Sequence, residues 1–481
     1  MASTLMQTRG QKDYEDYISL LPDCLIHHIF SFLPTRDVVK TCILSKRWQS
    51  VWTTISDLRF SVWSYNDPFV DTVLMHYKWP KVKKFHLDIK QDNYHSNIDS
   101  WIHFAIDHQV EEFFLNLNNC AWDIWWEDYT WSPLLNHCSS LIKLCLRGCR
   151  FSSSDGISWS SLKSLSIQNV SDDVLEKILM GSPVLEHLHL IGCRSVKEIQ
   201  SRSLRELVID ACWADYPLEI STPCLQSLHV RKAYFCKSIR IIEAPSLAKA
   251  ELDFGLAKSN CRLVKELLFK LQNATQILFG AWCLQVMLPL KVEDVQDSLA
   301  NCKSMTLHVP IREFSFPAIA NVLATTPNLE KLVIKFELSA WDASWYNSKL
   351  DSNNVDPKSY WHIKKFKCPT RHLKNVVIFG FYACVRFKCD EVFTLVKFLL
   401  GHAFVLENMV INNYKLPKDV EVVDSRKLLE MAQRLESYHR ASQHAAVILN
   451  YWEEGLGRRH HKGGRFTTKT LCVGHKNAGL E

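Results

Sequence analysis

Thiols and imidazoles are the reactive side chains this sequence holds in number, with 17 cysteines and 20 histidines among 481 residues. Three of the thiols recur in one context: Cys149, Cys193 and Cys212 each close a run of the form Leu-x-x-Leu-x-Leu/Ile-x-x-Cys. Thiolates at such positions could hold zinc, but this corner is also where a small polar side chain satisfies the turn inside a repeat, and that packing role is the expected one. A nucleophile needs a base within hydrogen-bond reach and a third group to orient that base. No Cys and His here are set apart by spacing as such a pair. The sequence also lacks a phosphate-binding Gly-x-x-x-x-Gly-Lys loop, a Gly-x-Ser-x-Gly elbow, a His-Glu-x-x-His helix and a dinucleotide-binding glycine fingerprint. The expectation is a chain with no catalytic residues, no metal and no cofactor, one that acts by binding.

Composition narrows what it binds. With 57 Lys plus Arg against 51 Asp plus Glu, the net charge of +6 is small for the length and leaves no nucleic-acid footprint. Hydrophobic residues at 47% and charged residues at 22% are ordinary globular usage, and 481 residues predict two or three folding units. The cysteines are odd in number and form no Cys-x-x-Cys pair, and the start MASTLMQTRGQKDYEDY has no apolar signal core. Reduced thiols in the nucleus or cytoplasm are therefore expected, and the glycosylation-type triplets at Asn169 and Asn273 carry no meaning there. The most apolar stretch, Val392 to Leu406, is too short to span a bilayer and is interrupted by Lys397 and His402, so no membrane contact is expected.

From Ile18 to Ile55 the apolar residues recur at helical spacing. Leu25, Ile26, Ile29, Phe30 and Leu33 fall on one wide stripe that Pro34 ends; Thr35 is a candidate cap for a second helix to about Cys42; Ser45 is a candidate cap for a third in which Trp48, Val51 and Trp52 share a face. About 40 residues cannot bury this many large side chains among themselves, so the apolar face left over predicts a protein interface. Capping of the following domain is the alternative use of that face.

Leu21-Pro22-Asp23, then His28-Ile29-Phe30-Ser31-Phe32-Leu33-Pro34, then Leu44-Ser45-Lys46-Arg47-Trp48 and Trp52, in this order and spacing, resemble the F-box. The resemblance implies a module that docks a small Skp-type adaptor and, through it, cullin and RING subunits of a ubiquitin ligase. It assigns Leu21, Pro22, Ile29, Leu33, Leu44, Ser45, Trp48 and Trp52 to the adaptor contact. Phe30 departs from the leucine usual at its position, a volume change in a small interface.

Beyond this module one pattern returns, starting at Leu141, Leu162, Leu185, Leu204, Leu225 and Leu247, at intervals of 21, 23, 19, 21 and 22 residues. That is the period of leucine-rich repeats, each a short strand plus a return segment. Weaker copies lie at Val82, Val110 and Leu329, so a solenoid over about residues 80 to 411 is predicted, an α/β leucine-rich-repeat horseshoe behind a small all-α F-box module. Alternation along each strand points the leucines inward and displays the residues between them. The displayed set reads Lys143, Cys145 and Arg147; Ser164, Ser166 and Gln168; His187 and His189; Glu206, Val208 and Asp210; Ser227, His229 and Arg231; Lys249, Glu251 and Asp253. A face of mixed charge suits a protein target better than a nucleic acid, and Arg147, His187, His189, Asp210 and Arg231 are its candidate target-binding residues.

Two segments break the period. Ala121 to Pro133 is rich in Trp and Tyr and is read as cover for an edge of the solenoid or as a binding lip; Leu338 to Trp361 is read as a long exposed loop. Then come strands near Val376 to Phe381 and Leu406 to Ile411, with a helix around Glu391 to Leu400 between them, an order that resembles the FBD module of plant F-box/leucine-rich-repeat proteins, although Tyr382 to Asp390 departs from it. A helix from Lys427 to about His439, a last edge strand at Ala445 to Leu449 and a disordered basic tail containing Arg458-Arg459-His460-His461-Lys462 complete the reading.

The expected organisation is thus F-box 14–60, repeats 80–335, exposed loop 336–365, an FBD-like continuation of the solenoid 366–450 and a basic tail 451–481. The expected function is the substrate-recognition subunit of a Skp-cullin-F-box ubiquitin ligase holding an unknown protein target; the alternative is a repeat scaffold that no longer assembles a ligase.

Overall fold

A computed structural model of the chain describes residues 20–473 apart from 64–66, 91–94, 118–128, 132, 152–155, 195, 215, 236–238, 257–260, 282–283, 285–297, 311–314, 338–369, 382–390, 413–424 and 455–465. The chain divides into two compact units, Met1–Leu185 and Glu186–Glu481.

The first unit opens with three short helices, α1 (Asp23–Phe30), α2 (Thr35–Lys40) and α3 (Trp48–Val51). Pro22 and Pro34 stand just ahead of α1 and α2, and the stop expected at Pro34 lies beyond the end of α1 at Phe30. Thr35 does not cap α2 as its sequence position suggests. It is the first helical residue, and its Oγ1 accepts the Arg59 N–H at 2.6 Å, tying the helix to the following strand. Ser45 does act at the start of α3, where its Oγ accepts the Trp48 N–H at 3.4 Å.

Strands follow in a steady rhythm: β1 (Asp57–Val62), β2 (Lys84–Ile89), β3 (Glu112–Asn116), β4 (Tyr129–Thr130), β5 (Lys143–Arg147), β6 (Cys149–Arg150) and β7 (Ser164–Gln168). β1, β2, β3, β5 and β7 form a parallel ladder in which Leu58, Phe85, Phe113, Leu144 and Leu165 lie in register as one buried row. Parallel neighbours require a crossover between them, and this is what the period of the leucines encodes. The first rung, β1, overlaps the end of the expected F-box segment 14–60 and was not anticipated as a strand; Leu58, Phe60 and Val62 alternate at strand rather than helix spacing. Of the aromatic run, residues 121–128 lie outside the described residues. Its end is packed inward: β4 pairs with β6, and buried Trp131 donates from Nε1 to Asn136 Oδ1 at 3.1 Å.

The second unit contains β8 (His187–Ile191), β9 (Glu198–Gln200), β10 (Glu206–Asp210), β11 (Trp213–Ala214), β12 (Leu218–Ser221), β13 (Ser227–Phe235), β14 (Ile239–Glu243), β15 (Lys249–Leu256), β16 (Gln276–Phe279), β17 (Ser304–Pro310), β18 (Lys331–Glu337), β19 (Asn375–Phe379), β20 (Asn408–Asn412), β21 (Ala446–Glu454) and β22 (Phe466–Val473). A parallel ladder runs from β8 through β10, β13 and β15 to β21, with Leu188, Leu207, Leu228, Ala250, Ile277, Met305, Leu332, Val376, Met409 and Val447 in one continuous register row. The returns are the helices Cys261–Lys270, Ser315–Ala324, Glu391–His402 and Ser425–Glu436 and, between β8 and β15, the small parallel sheet β9, β12 and β14.

Several turns repeat one conformation. The residue one past the strand's end is left-handed at Gly148 (φ 72°), Asn169 (54°), Gly192 (59°), Ala211 (52°) and Gly380 (75°). Gly and Asn accept this conformation readily, whereas Ala211 carries a Cβ into it.

The tail corrects the sequence reading. Phe466–Val473 is not disordered but pairs antiparallel along β21, Val447 opposite Val473 through Glu454 opposite Phe466, so Ala446–Glu454 is not the edge. The basic run hid a FTTKTLCV segment rich in β-favouring residues, and an uncovered edge strand is a site for unwanted pairing that chains cover. The loop read at Leu338 to Trp361, the divergent stretch Tyr382 to Asp390 and the Arg458 to Arg465 cluster lie outside the described residues. Among the described residues no helix is long and apolar enough to cross a membrane.

Candidate functional site

In the helical module the single apolar stripe read from the sequence divides into two faces. Ile26, Phe30, Val38, Trp48 and Val51 turn inward and form the module's core, with Phe30 and Trp48 meeting edge to face at 5.4 Å between centroids. Ile29, Phe32, Ile43 and Leu44 turn outward, exposed by 42%, 71%, 85% and 52%, and Leu20 and Leu25 are exposed beside them in sequence. Uncovered apolar side chains concentrated in one short helical module mark a contact surface rather than scattered surface leucines. The salt bridge between Arg47 and Asp23 and a hydrogen bond between His27 Nε2 and Thr54 Oγ1 at 3.2 Å tie the first helix to the third and to the 3-10 turn after it, Trp52–Thr54.

The eight residues assigned by resemblance therefore occupy different positions. Ile29, Leu44 and Pro22 are exposed; Leu21, Leu33, Ser45 and Trp52 are half-buried; Trp48 is 4% exposed and belongs to the core. Phe30, the residue that departs from the family's usual leucine, sits against Trp48 in that core, so its extra volume is absorbed by packing. Sequence reasoning did not select Phe32 and Ile43. Their signal was available, an apolar residue between helices that no internal partner could cover.

The displayed face of the ladder is a second candidate. In the first unit Lys143 is exposed and Arg147 half-buried, as alternation requires, but Cys145 is buried, contrary to the expected display. Burial pushes its thiol up, and it is hydrogen-bonded with Ser166 of the next strand, a small neighbour that lets the ladder close over it. In the second unit several displayed residues of β8 to β15 pair with one another. His187 Nδ1 lies 2.8 Å from Glu206, and Glu251 takes both His229 at 2.9 Å and Arg231 at 2.6 Å. Burial alone would raise the Glu251 pKa; the bonds from His229 and Arg231 outweigh it and hold the carboxyl at about 2. His189 and Asp210 stand half-buried on the same face.

The corner cysteines serve the turns. Cys149, Cys193 and Cys212 direct their thiols to the carbonyls of Arg147, Ile191 and Asp210 at 3.8, 3.6 and 3.4 Å, and Cys212 Sγ also receives the Cys193 N–H at 3.3 Å. The Cys193 contact and then burial drive the Cys212 thiol far above its ordinary range, the condition of a structural rather than a reactive thiol.

A helical module with an uncovered apolar face, followed along the chain by parallel strands that recur every 19 to 31 residues from Leu58 to Leu332, is the build of an F-box protein with leucine-rich repeats. Comparisons with known proteins agree. The F-box domain model matches residues 18–60, and a model for the leucine-rich repeats of the FBD-associated F-box protein At5g56370 matches residues 98–252. The chain is 30% identical over 360 residues to the F-box/LRR-repeat protein At3g03360 of Arabidopsis thaliana, covering 69% of this chain and 73% of that protein. It is 30% identical over 375 residues to F-box/LRR-repeat protein At5g02910 of the same plant, covering 75% and 81%. It is also 33% identical over 226 residues to F-box/LRR-repeat protein 25, also from that plant, covering 45% and 86%. The chain belongs to the F-box/LRR-repeat protein family.

Proposed function

We propose that the chain is the non-catalytic substrate receptor of a Skp-cullin-F-box ubiquitin ligase. The observation that carries this reading is the exposure of the apolar side chains Ile29, Phe32, Ile43 and Leu44 on a module matched by the F-box model. A Skp-type adaptor covers these side chains, with Leu21, Pro22, Leu33, Ser45 and Trp52 around them and Trp48 supporting them from beneath. Cullin and RING subunits join through the adaptor. The repeats, continued in the second unit by an FBD-like module, hold a protein target; Arg147 is the candidate contact of the first unit, and His187, His189, Asp210 and Arg231 are those of the second. The chain contributes proximity: a held target raises the effective concentration of its lysines at the ubiquitin thioester without any side chain here touching the reaction. Its place of action is the nucleus or cytoplasm, where such assemblies meet reduced proteins.

Co-expression of the full chain with a Skp-type adaptor tests this reading: a stable co-purifying complex is expected. A well-folded chain that leaves the adaptor behind would instead favour a repeat scaffold that no longer assembles a ligase.

A further inference from the structure

The displayed face of the second unit changes character along its length. From β8 to β15 it is ionic and internally paired, so a partner binding there must break bonds such as those of Glu251 with His229 and Arg231. From β16 onward the central register row is apolar apart from Thr306. Leu278, Thr306, Val333, Val377, Val410 and Ile448 lie side by side on successive strands, all half-exposed. At about 4.8 Å between strands the row is roughly 24 Å long.

Its margins are mostly polar and, at β18, carry two lysines. On one side stand Lys331, Asn375 and Asn408, with Asn408 Nδ2 donating to Asn375 Oδ1 at 3.3 Å. On the other stand Lys335, Phe379, Asn412 and Asn450, polar except at Phe379, which widens the apolar row there, with Asn450 Nδ2 donating to Asn412 Oδ1 at 2.8 Å. Lys331 and Lys335 flank Val333 on the same face of β18. Two nearby acids are engaged with other groups: Glu330 faces Lys303 and Lys374 at 3.7 and 3.9 Å, and Asp253 faces His308 at 3.5 Å.

We propose that this row is the docking site for an acidic amphipathic helix of the target protein. The proposal rests on the reading of the repeats as the target-binding part. Charge complementarity sets the sign: two lysines beside an apolar row favour carboxylates beside apolar residues. Geometry sets the form. A helix laid across the strands presents one apolar residue per 5.4 Å turn, nearly in phase with strands about 4.8 Å apart, and about 16 residues span the row.

The test is selection from a random 16-residue peptide display library on the full chain, followed by titration of the enriched peptides. Enriched sequences are expected to carry apolar residues at helical spacing with an excess of Asp and Glu. Lys331→Glu with Lys335→Glu, substitutions at surface lysines that spare the fold, should weaken the selected peptides about tenfold or more and turn a repeated selection toward Lys and Arg. Arg240→Ala, at an exposed residue of β14 outside the row, should leave affinity within about twofold, and His187→Ala with Arg231→Ala reports separately on the ionic part of the face. Selection of peptides without acidic excess, no enrichment, or insensitivity to the lysine reversals would overturn the proposal. If binding is lost only in the His187 and Arg231 variant, the target-binding reading stands and this placement falls. A chain that dimerises through the row, becoming monomeric in Val377→Asp with Val410→Asp, would assign the row to a second copy and overturn the proposal as well.

Discussion

The ring of Phe30 meets the ring of Trp48 edge to face at 5.4 Å, and this contact separates the module's core from an exposed apolar face. Ile29, the immediate neighbour of Phe30, points to solvent while Phe30 is buried. One helix thereby covers its own module's core on one face and leaves apolar side chains exposed on the other.

The division predicts that Trp48 and Leu44 fail differently on substitution. Trp48→Ala removes a buried ring from a small core and should cost about 3–5 kcal/mol, enough to unfold the module. Leu44→Asp changes an exposed residue and should alter stability by about 0.5 kcal/mol or less. Amide hydrogen exchange over residues 20–60 distinguishes the two; equal loss of protection in both variants would contradict the assignment of faces.

Glu251 predicts a pH dependence in the second unit. Its folded pKa of about 2 lies below the ordinary value of 4.5, so its contribution is fully present above about pH 4.5 and disappears as pH falls toward 2. Glu251→Gln should cost about 1–2 kcal/mol at pH 7, less than the full shift implies because the carboxylate is partly solvated. Urea midpoints of the two proteins should converge as pH is lowered from 4.5 toward 2. A gap that persists at the lowest pH would show that the carboxylate charge is not what stabilises the cluster.

The repeat turns predict opposite effects of glycine and alanine. Ala211 sits at φ 52°, so Ala211→Gly should stabilise by about 1 kcal/mol. Gly380→Ala should destabilise by more, because φ is 75° there and the new Cβ would strike the Phe336 carbonyl. Thermal melts of both variants check the pair.

The closing strand predicts the result of truncation. Removing residues 466–481 strips β22 from β21 and leaves Val447 to Glu454 as an open edge. Light scattering should show concentration-dependent association of the truncated chain, whereas removing only residues 474–481 should leave the chain monomeric.

How far the fold was legible follows from the kind of signal each element carries. Leu144 and Leu146, or Leu188 and Leu190, announce their strands because burial on one face imposes a period of two within each strand and about twenty between strands. β1 went unread because Leu58, Phe60 and Val62 follow without a break on the helical module, and β22 because FTTKTLCV stands behind a basic run typical of solvated tails. At the site, spacing placed Ile29 and Phe30 on one stripe, since a stripe wider than its own core looks continuous in one dimension. Only the packing of Trp48 shows which of them is covered. Cys145 was misread for a similar reason: alternation fixes the side of the sheet, while burial depends on neighbours such as Ser166 that belong to another strand.

The central claim is that the exposed apolar face of the helical module holds a Skp-type adaptor, and calorimetric titration of the adaptor into the full chain and into its Leu44→Asp variant tests it most directly. The wild-type chain should bind, and the variant, with unchanged hydrogen-exchange protection, should lose about 2–5 kcal/mol of binding free energy because a charge enters an apolar contact. Equal binding by both would show that the adaptor sits elsewhere, and no binding by a folded wild-type chain would contradict the claim.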